Sequence, residues 1–335
     1  MLIAMLLMAQ DVLVVQAGEG LKTFEIRGGV PTAKGELATP KLSPSYLRPS
    51  ADGRFRYAAT PNERLLVFAV GKDGALSRIG EAASPGGPCY VDAHPAGRWV
   101  STANYGAGKT LLFPVDAAGK LGEPASFDTG PQSHSARFHP GGKHLFALSV
   151  GGRKITRILL EGGASEVLDL PELGPRHIAF SARGDLAFVV HERPIRVSSL
   201  RAAEKLEVVG TWPALAPGTE EKKGLAAAEI AVAPSGRFVY ASVRDFSKEG
   251  GLNGLAVFGV EASGELRWIE FVPSGGVSPR GFLIDPSGAF LYVLNEISGT
   301  LAVFGIDAAS GRLKAAGEPL KLGGSAIGIA WIRLP

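Results

Sequence analysis

The stretch IAVAPSGRFVYASVR (230–244) decides the fold. It reads as a short apolar strand, a Pro-Ser-Gly turn and a second apolar strand running back, the pattern of a tight antiparallel pair. Five further segments share its shape: YLRPSADGRFRYAAT (46–60), YVDAHPAGRWVSTAN (90–104), SARFHPGGKHLFALS (135–149), IAFSARGDLAFVVHE (178–192) and FLIDPSGAFLYVLNE (282–296). Their turn glycines, Gly53, Gly97, Gly142, Gly184, Gly236 and Gly288, are spaced 44, 45, 42, 52 and 52 residues apart. A third strand follows several pairs, as in LLVFAV (65–70), TLLFPVD (110–116), LAVFGVE (255–261) and LAVFGID (301–307). A more polar fourth then tends to appear, as in GALSRIGEA (74–82) and GRLKAAGEP (311–319). Four antiparallel strands repeated at this period are a β-propeller blade. A lone four-stranded sheet cannot bury both faces, so successive blades must stack against one another.

Six complete units run from Tyr46 to Gly324 and leave strands over at both ends. AIGIAWIRL (326–334) has the character of an innermost strand; DVLVVQA (11–17) and LKTFEIR (21–27) read as second and third strands. Together they complete a seventh blade from both termini, which closes the ring and removes free edges. The expectation is an all-β, seven-bladed β-propeller occupying 11–335 as a single domain. Two stacked sandwiches would explain neither the six similar turns nor the complementary ends.

Composition agrees and excludes other classes. Glycine (45 residues) and proline (23) are too frequent for a helical bundle, and they punctuate strong apolar strands rather than a disordered chain. Thirty-five Lys and Arg against 32 Asp and Glu give a net charge of +3 without a long basic run, which argues against nucleic acid as the main partner. The single cysteine, Cys89, excludes an intramolecular disulfide and a cysteine-clustered zinc site, and it permits a reducing, cytoplasmic setting. The apolar start MLIAMLLMA (1–9) lacks a basic flank and is too short to span a bilayer. Residues 1–10 are therefore read as an extension from a mis-assigned start, or as a weak export signal, in which case the protein would be exported.

Propeller geometry turns chain position into location. Residues entering a first strand and residues leaving a second strand share one face of the disc, around the channel mouth, where a rigid scaffold presents binding groups. The entries include QSHS (132–135), GPRH (174–177), AAEI (227–230) and SPRG (278–281); the exits include NYGAG (104–108), HERP (191–194) and RDFSKEG (244–250). This gathers His134, Arg176, His177, Glu192, Glu229 and Arg244, with Arg280 next along and Asn104 and Tyr105 on a neighbouring exit. Histidines and arginines around a carboxylate pair suit a small anionic, oxygen-rich molecule, since guanidinium forks match carboxylate or phosphate. His94, His139 and His144 fall on the opposite face as turn and strand-edge residues, and Cys89 reads as a small buried apolar residue.

HSARFHPGG (134–142), GPRHIAF (174–180), AAEIAVAPSGRFVYAS (227–242) and SPRGFLIDPSG (278–288), with NYGAG and NEISG (295–299) as exits, resemble the seven-bladed lactonase family. That family includes propeller-type 6-phosphogluconolactonases and a fungal carboxymuconate lactonizing enzyme. The resemblance implies catalytic groups at His134, Arg176, Glu192 and Arg244. It departs at Tyr90, often a histidine in the family, and at Gln132-Ser133-His134, often His-x-His. It implies hydrolysis of a sugar-acid lactone, 6-phosphogluconolactone to 6-phosphogluconate, within the pentose phosphate pathway of carbohydrate metabolism. On this reading His134 is the general base with Glu192 positioning it or shuttling its proton, Arg176 stabilises the oxyanion, and Arg244 and Arg280 hold the phosphate. His177, Glu229, Tyr105 and Asn104 bind substrate. No cofactor and no metal are assigned, and no G-x-S-x-G elbow or P-loop is present. The expected state is a monomer or weak homo-oligomer. The rival functions are a carboxymuconate-type cycloisomerase and a non-catalytic propeller that binds a ligand or protein. The insertion WPALAPGTEEKKGLAAA (212–228) reads as a lid or solvated loop.

Overall fold

A computed structural model describes residues 11–39, 42–163, 165–246 and 251–334. The expectations for residues 1–10, and for the end of the 244–250 exit, lie outside these. Among the described residues there are seven antiparallel sheets and no helix. Innermost strands are Tyr46–Pro49, Pro88–Ala93, Ser133–Phe138, Pro175–Phe180, Leu225–Val232, Pro279–Ile284 and Ala326–Arg333. These define blades one to seven. No helix among the described residues is long and apolar enough to cross a membrane.

Blade seven forms as the leftover strands require. Ala326–Arg333 pairs with Asp11–Ala17, which pairs with Gly20–Arg27. Its outermost strand, Val30–Ala38, was not legible in the sequence: VPTAKGELA lies on the rim, largely exposed, and so carries no apolar alternation. In blade six the outer strand is broken into Leu313–Ala315 and Leu320–Lys321, both on Thr300–Ile306, with Pro319 in the gap. The 212–228 insertion is less of a loop than expected. Ala214 and Leu215 are buried in the core and Leu225 onward is already strand; Pro213, Pro217, Gly218 and the charged 220–223 are exposed.

The core follows from stacking. Seven apolar clusters form, each shared by one pair of adjacent blades, so every blade interface has an apolar core and the ring has no open seam. The closing interfaces bring Val12 and Val14 against Leu66 and Phe68 on one side, and Leu13 and Val15 against Tyr292 and Leu294 on the other. On the face opposite the candidate site, His94 Nε2 donates to Gly142 O (2.8 Å) and His139 Nε2 to Gly184 O (3.0 Å), each tying one blade's turn to the next. Both are structural, as expected for that face.

Candidate active site

The side chains at the channel mouth are placed by a repeated irregularity. In blades two, three, four and six, each innermost strand carries one extra residue near its start: Cys89, His134, Arg176 and Arg280. Blade five has the same shift at Ala228 and Glu229. Such β-bulges re-aim a side chain and locally break the alternation of faces. The extra residues form an upper row around the channel, and the residues after them, Tyr90, Ser135, His177 and Gly281, form a second row with Tyr46 and Glu229. Because of the bulge, Arg176 and His177 both line the same cavity although they are chain neighbours. That cavity has a volume of about 200 Å³, room for one compact molecule and too little for a polymer.

At the mouth the three bulge and exit residues converge. Glu192 leaves the second strand of blade four with its backbone clamped: its N–H donates to Gly174 O (2.8 Å) and its C=O accepts from Ala227 N (3.2 Å). Its carboxylate lies between two guanidiniums, Oε2 at 3.9 Å from Arg176 Nε and Oε1 at 3.5 Å from Arg244 Nη2. Arg176 also donates from Nη1 to Ala228 O (2.5 Å). Arg244 donates to Ala227 O (3.4 Å) and covers the Phe246 ring at 4.8 Å. Burial and the neighbouring Arg176 and Arg280 draw the Arg244 guanidinium down to about 9, against the pull of Glu192 and Glu296. Arg280 is more open and is held by Glu296, 2.9 Å away. Glu296 was overlooked in the sequence, although it sits one residue past a second strand, the same exit position as Glu192.

His134 is 6 % exposed, and its Nδ1 has no hydrogen-bond partner. Its ring meets Tyr105 edge-on at 5.8 Å and His177 at 5.1 Å. Burial, then Arg176, His177, Arg280 and Arg244, hold its pKa well below the ordinary histidine value, so it is neutral at pH 7. No bond joins it to Glu192, which reaches the arginines instead; the positioning of His134 by Glu192 expected from sequence is not what the geometry shows. Arg176 Nε and Arg244 Nε are also buried without a hydrogen-bond partner. Two of these three residues, His134 and Arg176, line the cavity, and buried polar groups are nearly always paired.

His177 and Glu229 are brought to the site but face each other. His177 Nδ1 lies 2.9 Å from Glu229 Oε1, and Tyr46 OH donates to Glu229 Oε2 at 3.1 Å. Burial lowers His177 to about 4. For Glu229 burial acts the other way, yet His177, its hydrogen bond, the Ile230 N–H and Arg48 together hold the carboxyl at about 2. Tyr46 was not among the expected site residues, although it occupies the same row as His177. Tyr90, flagged as a departure, is almost fully buried; its hydroxyl accepts from Arg48 Nη2 (3.1 Å) and its ring lies 4.3 Å from that of Tyr46. Tyr105 stands at the rim, 37 % exposed.

Asn104 does not reach the channel. It is fully buried inside blade two, where Oδ1 accepts from Ser84 Oγ (2.7 Å) and Nδ2 donates to Thr102 Oγ1 (3.1 Å). Asn295 in blade six is tied down in the same way, to Ser274 O and Thr300 Oγ1, so this position serves the blade and not a ligand. Cys89 lines the cavity, but burial pushes its thiol up to about 12, which leaves it protonated and inert as a nucleophile. Among the described residues no three His, Cys, Asp or Glu side chains are grouped as a metal ion would need.

A family model described as "Lactonase, 7-bladed beta-propeller" matches residues 12–328. The chain belongs to that family. A 6-phosphogluconolactonase of Bacillus subtilis is 32% identical to this lactonase over 329 residues, covering 88% of this chain and 89% of the relative. One from Pectobacterium carotovorum is 30% identical over 267 residues, covering 76% and 77%. Among solved structures, the periplasmic gluconolactonase of Pseudomonas aeruginosa superposes with a TM-score of 0.85 at 25% identity, covering 98% of this chain and all of its own.

The buried neutral histidines of this lactonase set its acid stability. His177 and His191 have folded pKa values of about 4 and 3, against 6.5 when unfolded. Unfolding therefore takes up protons below pH 6.5, so stability is full above that pH and falls as pH drops towards 4 and then 3. His177 accounts for on the order of 3 kcal/mol of that loss and His191 for on the order of 5 kcal/mol. Glu229, depressed to about 2 from 4.5, adds a further loss below pH 4.5. The melting temperature should be level from pH 8 to 7 and decline from pH 6.5 to 4. His191→Gln, which keeps an atom where Nε2 meets Ser198 Oγ (2.7 Å), should flatten that decline; an unchanged slope would contradict the assignment.

Proposed function

We propose that the protein opens 6-phosphogluconolactone to 6-phosphogluconate by attack of activated water at the channel mouth. The observation that carries this is the pair of unpartnered buried atoms, His134 Nδ1 and Arg176 Nε, on residues lining one small cavity in a chain of the lactonase family. Opening a lactone needs a base for water, a stabiliser for the tetrahedral oxyanion and a proton for the departing ring oxygen. His134, neutral and unpaired, takes the proton as the water oxygen bonds to the carbonyl carbon. Arg176 meets the oxyanion. When the bond from carbonyl carbon to ring oxygen breaks, protonated His134 returns the proton to that oxygen, and the new carboxylic acid ionises.

Three of the groups that depress His134 are arginines, and an incoming anion offsets them. Substrate binding thus raises the basicity of His134 when it is needed. Glu192 holds Arg176 and Arg244 side by side, and Arg244 with Arg280 takes the phosphate. Tyr105 offers its rim hydroxyl to the sugar. On this reading the protein works in the cytoplasm, with its phosphorylated substrate, as a monomer or weak homo-oligomer; the periplasmic neighbour makes export the alternative.

The phosphate assignment has its own test. Arg280→Ala should raise KM for 6-phosphogluconolactone about tenfold, with kcat little changed, as expected for loss of one exposed charge-assisted contact. Its effect on unphosphorylated gluconolactone should be slight. Equal effects on both substrates, in steady-state kinetics, would remove the phosphate from Arg280.

A further inference from the structure

We propose that Tyr46, Glu229 and His177 form a buried hydrogen-bond relay that positions Arg176 from beneath, so that three side chains outside the reacting atoms set the aim of the guanidinium. The inference rests on the reading of Arg176 as the group that meets the lactone carbonyl. Its direction is fixed from both ends. A guanidinium can only donate, so in the 3.3 Å contact between Arg176 Nη1 and His177 Nε2 the imidazole nitrogen carries the lone pair. The ring proton then sits on Nδ1, which must donate, and Glu229 Oε1 accepts it at 2.9 Å. An ionised carboxylate can only accept, and it takes two further protons, from Ile230 N at 3.0 Å and from Tyr46 OH at 3.1 Å.

The relay also spans the channel. Tyr46 comes from blade one and Glu229 from blade five, so their bond crosses the channel beneath the upper row. The His177 ring is wedged edge-on against Tyr46 (5.6 Å) and Tyr90 (5.1 Å), which leaves it little freedom to turn. His177, Glu229 and Arg176 are 3, 6 and 2 % exposed, so these bonds are shielded from bulk solvent. Both nitrogens of His177 are engaged inside the protein, which gives the residue to Arg176 and not to a substrate hydroxyl. A proton on Nε2 would abolish the acceptor and set two cations face to face.

Two substitutions separate the ends of the relay. His177→Gln keeps an oxygen acceptor near the Nε2 position and can still hold Arg176; His177→Asn places its amide near Nδ1 and leaves Arg176 unaimed. His177→Asn should lose about 100-fold in kcat with KM within about twofold, the size of effect expected from a misplaced catalytic group. His177→Gln should stay within about tenfold of wild type, and both should melt as folded proteins. Equal losses in the two variants, or a rise in KM with kcat retained, would overturn the relay and return His177 to substrate binding. Long-range nitrogen–proton NMR of the unmodified protein supplies a measurement independent of turnover. The Nδ1–H tautomer of His177 supports the relay whatever the substrate proves to be, and the Nε2–H tautomer overturns it. Absence of wild-type turnover would count against the lactone reading alone.

Discussion

Arg176→Ala is expected to lower kcat on 6-phosphogluconolactone by about 10²–10³-fold, the usual cost of removing one oxyanion donor, while the melting temperature moves by only a few degrees. The guanidinium is 2 % exposed, yet little of the fold depends on it. Its loss leaves Glu192 with Arg244 at 3.5 Å and still 26 % exposed, so no carboxylate is stranded in a dry interior. Ala228 O loses a donor beside a cavity that water can enter. Removing a buried cation also relieves its desolvation, which offsets part of the lost packing. Arg176→Lys should rescue little, because an ammonium cannot serve Ala228 O, His177 Nε2 and the oxyanion in one plane. Kinetics and a thermal melt on the same preparations check this; a collapsed melt in Arg176→Ala would make the residue structural.

His134→Ala should be as severe, with kcat/KM reduced about 10²–10⁴-fold, the range for loss of a general base. The pH dependence makes the test specific. Burial and the surrounding arginines hold His134 well below 6.5, so the free enzyme carries it neutral throughout the neutral range. Wild-type kcat/KM should be level from about pH 8 to 6 and fall in acid as His134 takes up a proton. The variant should show only a small residual rate without that acid limb. If its profile retained the limb, another group would be the base, with Glu192 the first to examine.

The fold was legible because each blade repeats one message: a Pro/Gly turn between apolar strands, which pack against the neighbouring blades whatever the details. The terminal closure was legible for the same reason, since Ala326–Arg333 has no partner within its own end of the chain and pairs with Asp11–Ala17. Val30–Ala38 was not, because a rim strand buries too little to write a pattern. Within the site, His134, Arg176, Glu192, Arg244 and Arg280 were reachable from blade position alone. What His177 and Glu229 face was not. A regular strand sends neighbours to opposite sides, and only the bulge at Arg176 lets Arg176 and His177 share the channel. Asn104 misled for the converse reason: it is the last residue of its strand, where the side chain turns into the blade and ties it shut. Tyr46 could have been found by aligning the six entries and reading down the second row.

The measurement that tests the central claim most directly is hydrolysis of freshly prepared 6-phosphogluconolactone by the wild-type protein, corrected for spontaneous opening, with a carboxymuconate and unphosphorylated gluconolactone run alongside. The account predicts a rate far above background on the phosphorylated lactone, higher than on either comparison substrate, and lost in Arg176→Ala. A rate indistinguishable from spontaneous opening, or preferential turnover of the muconate, would contradict it.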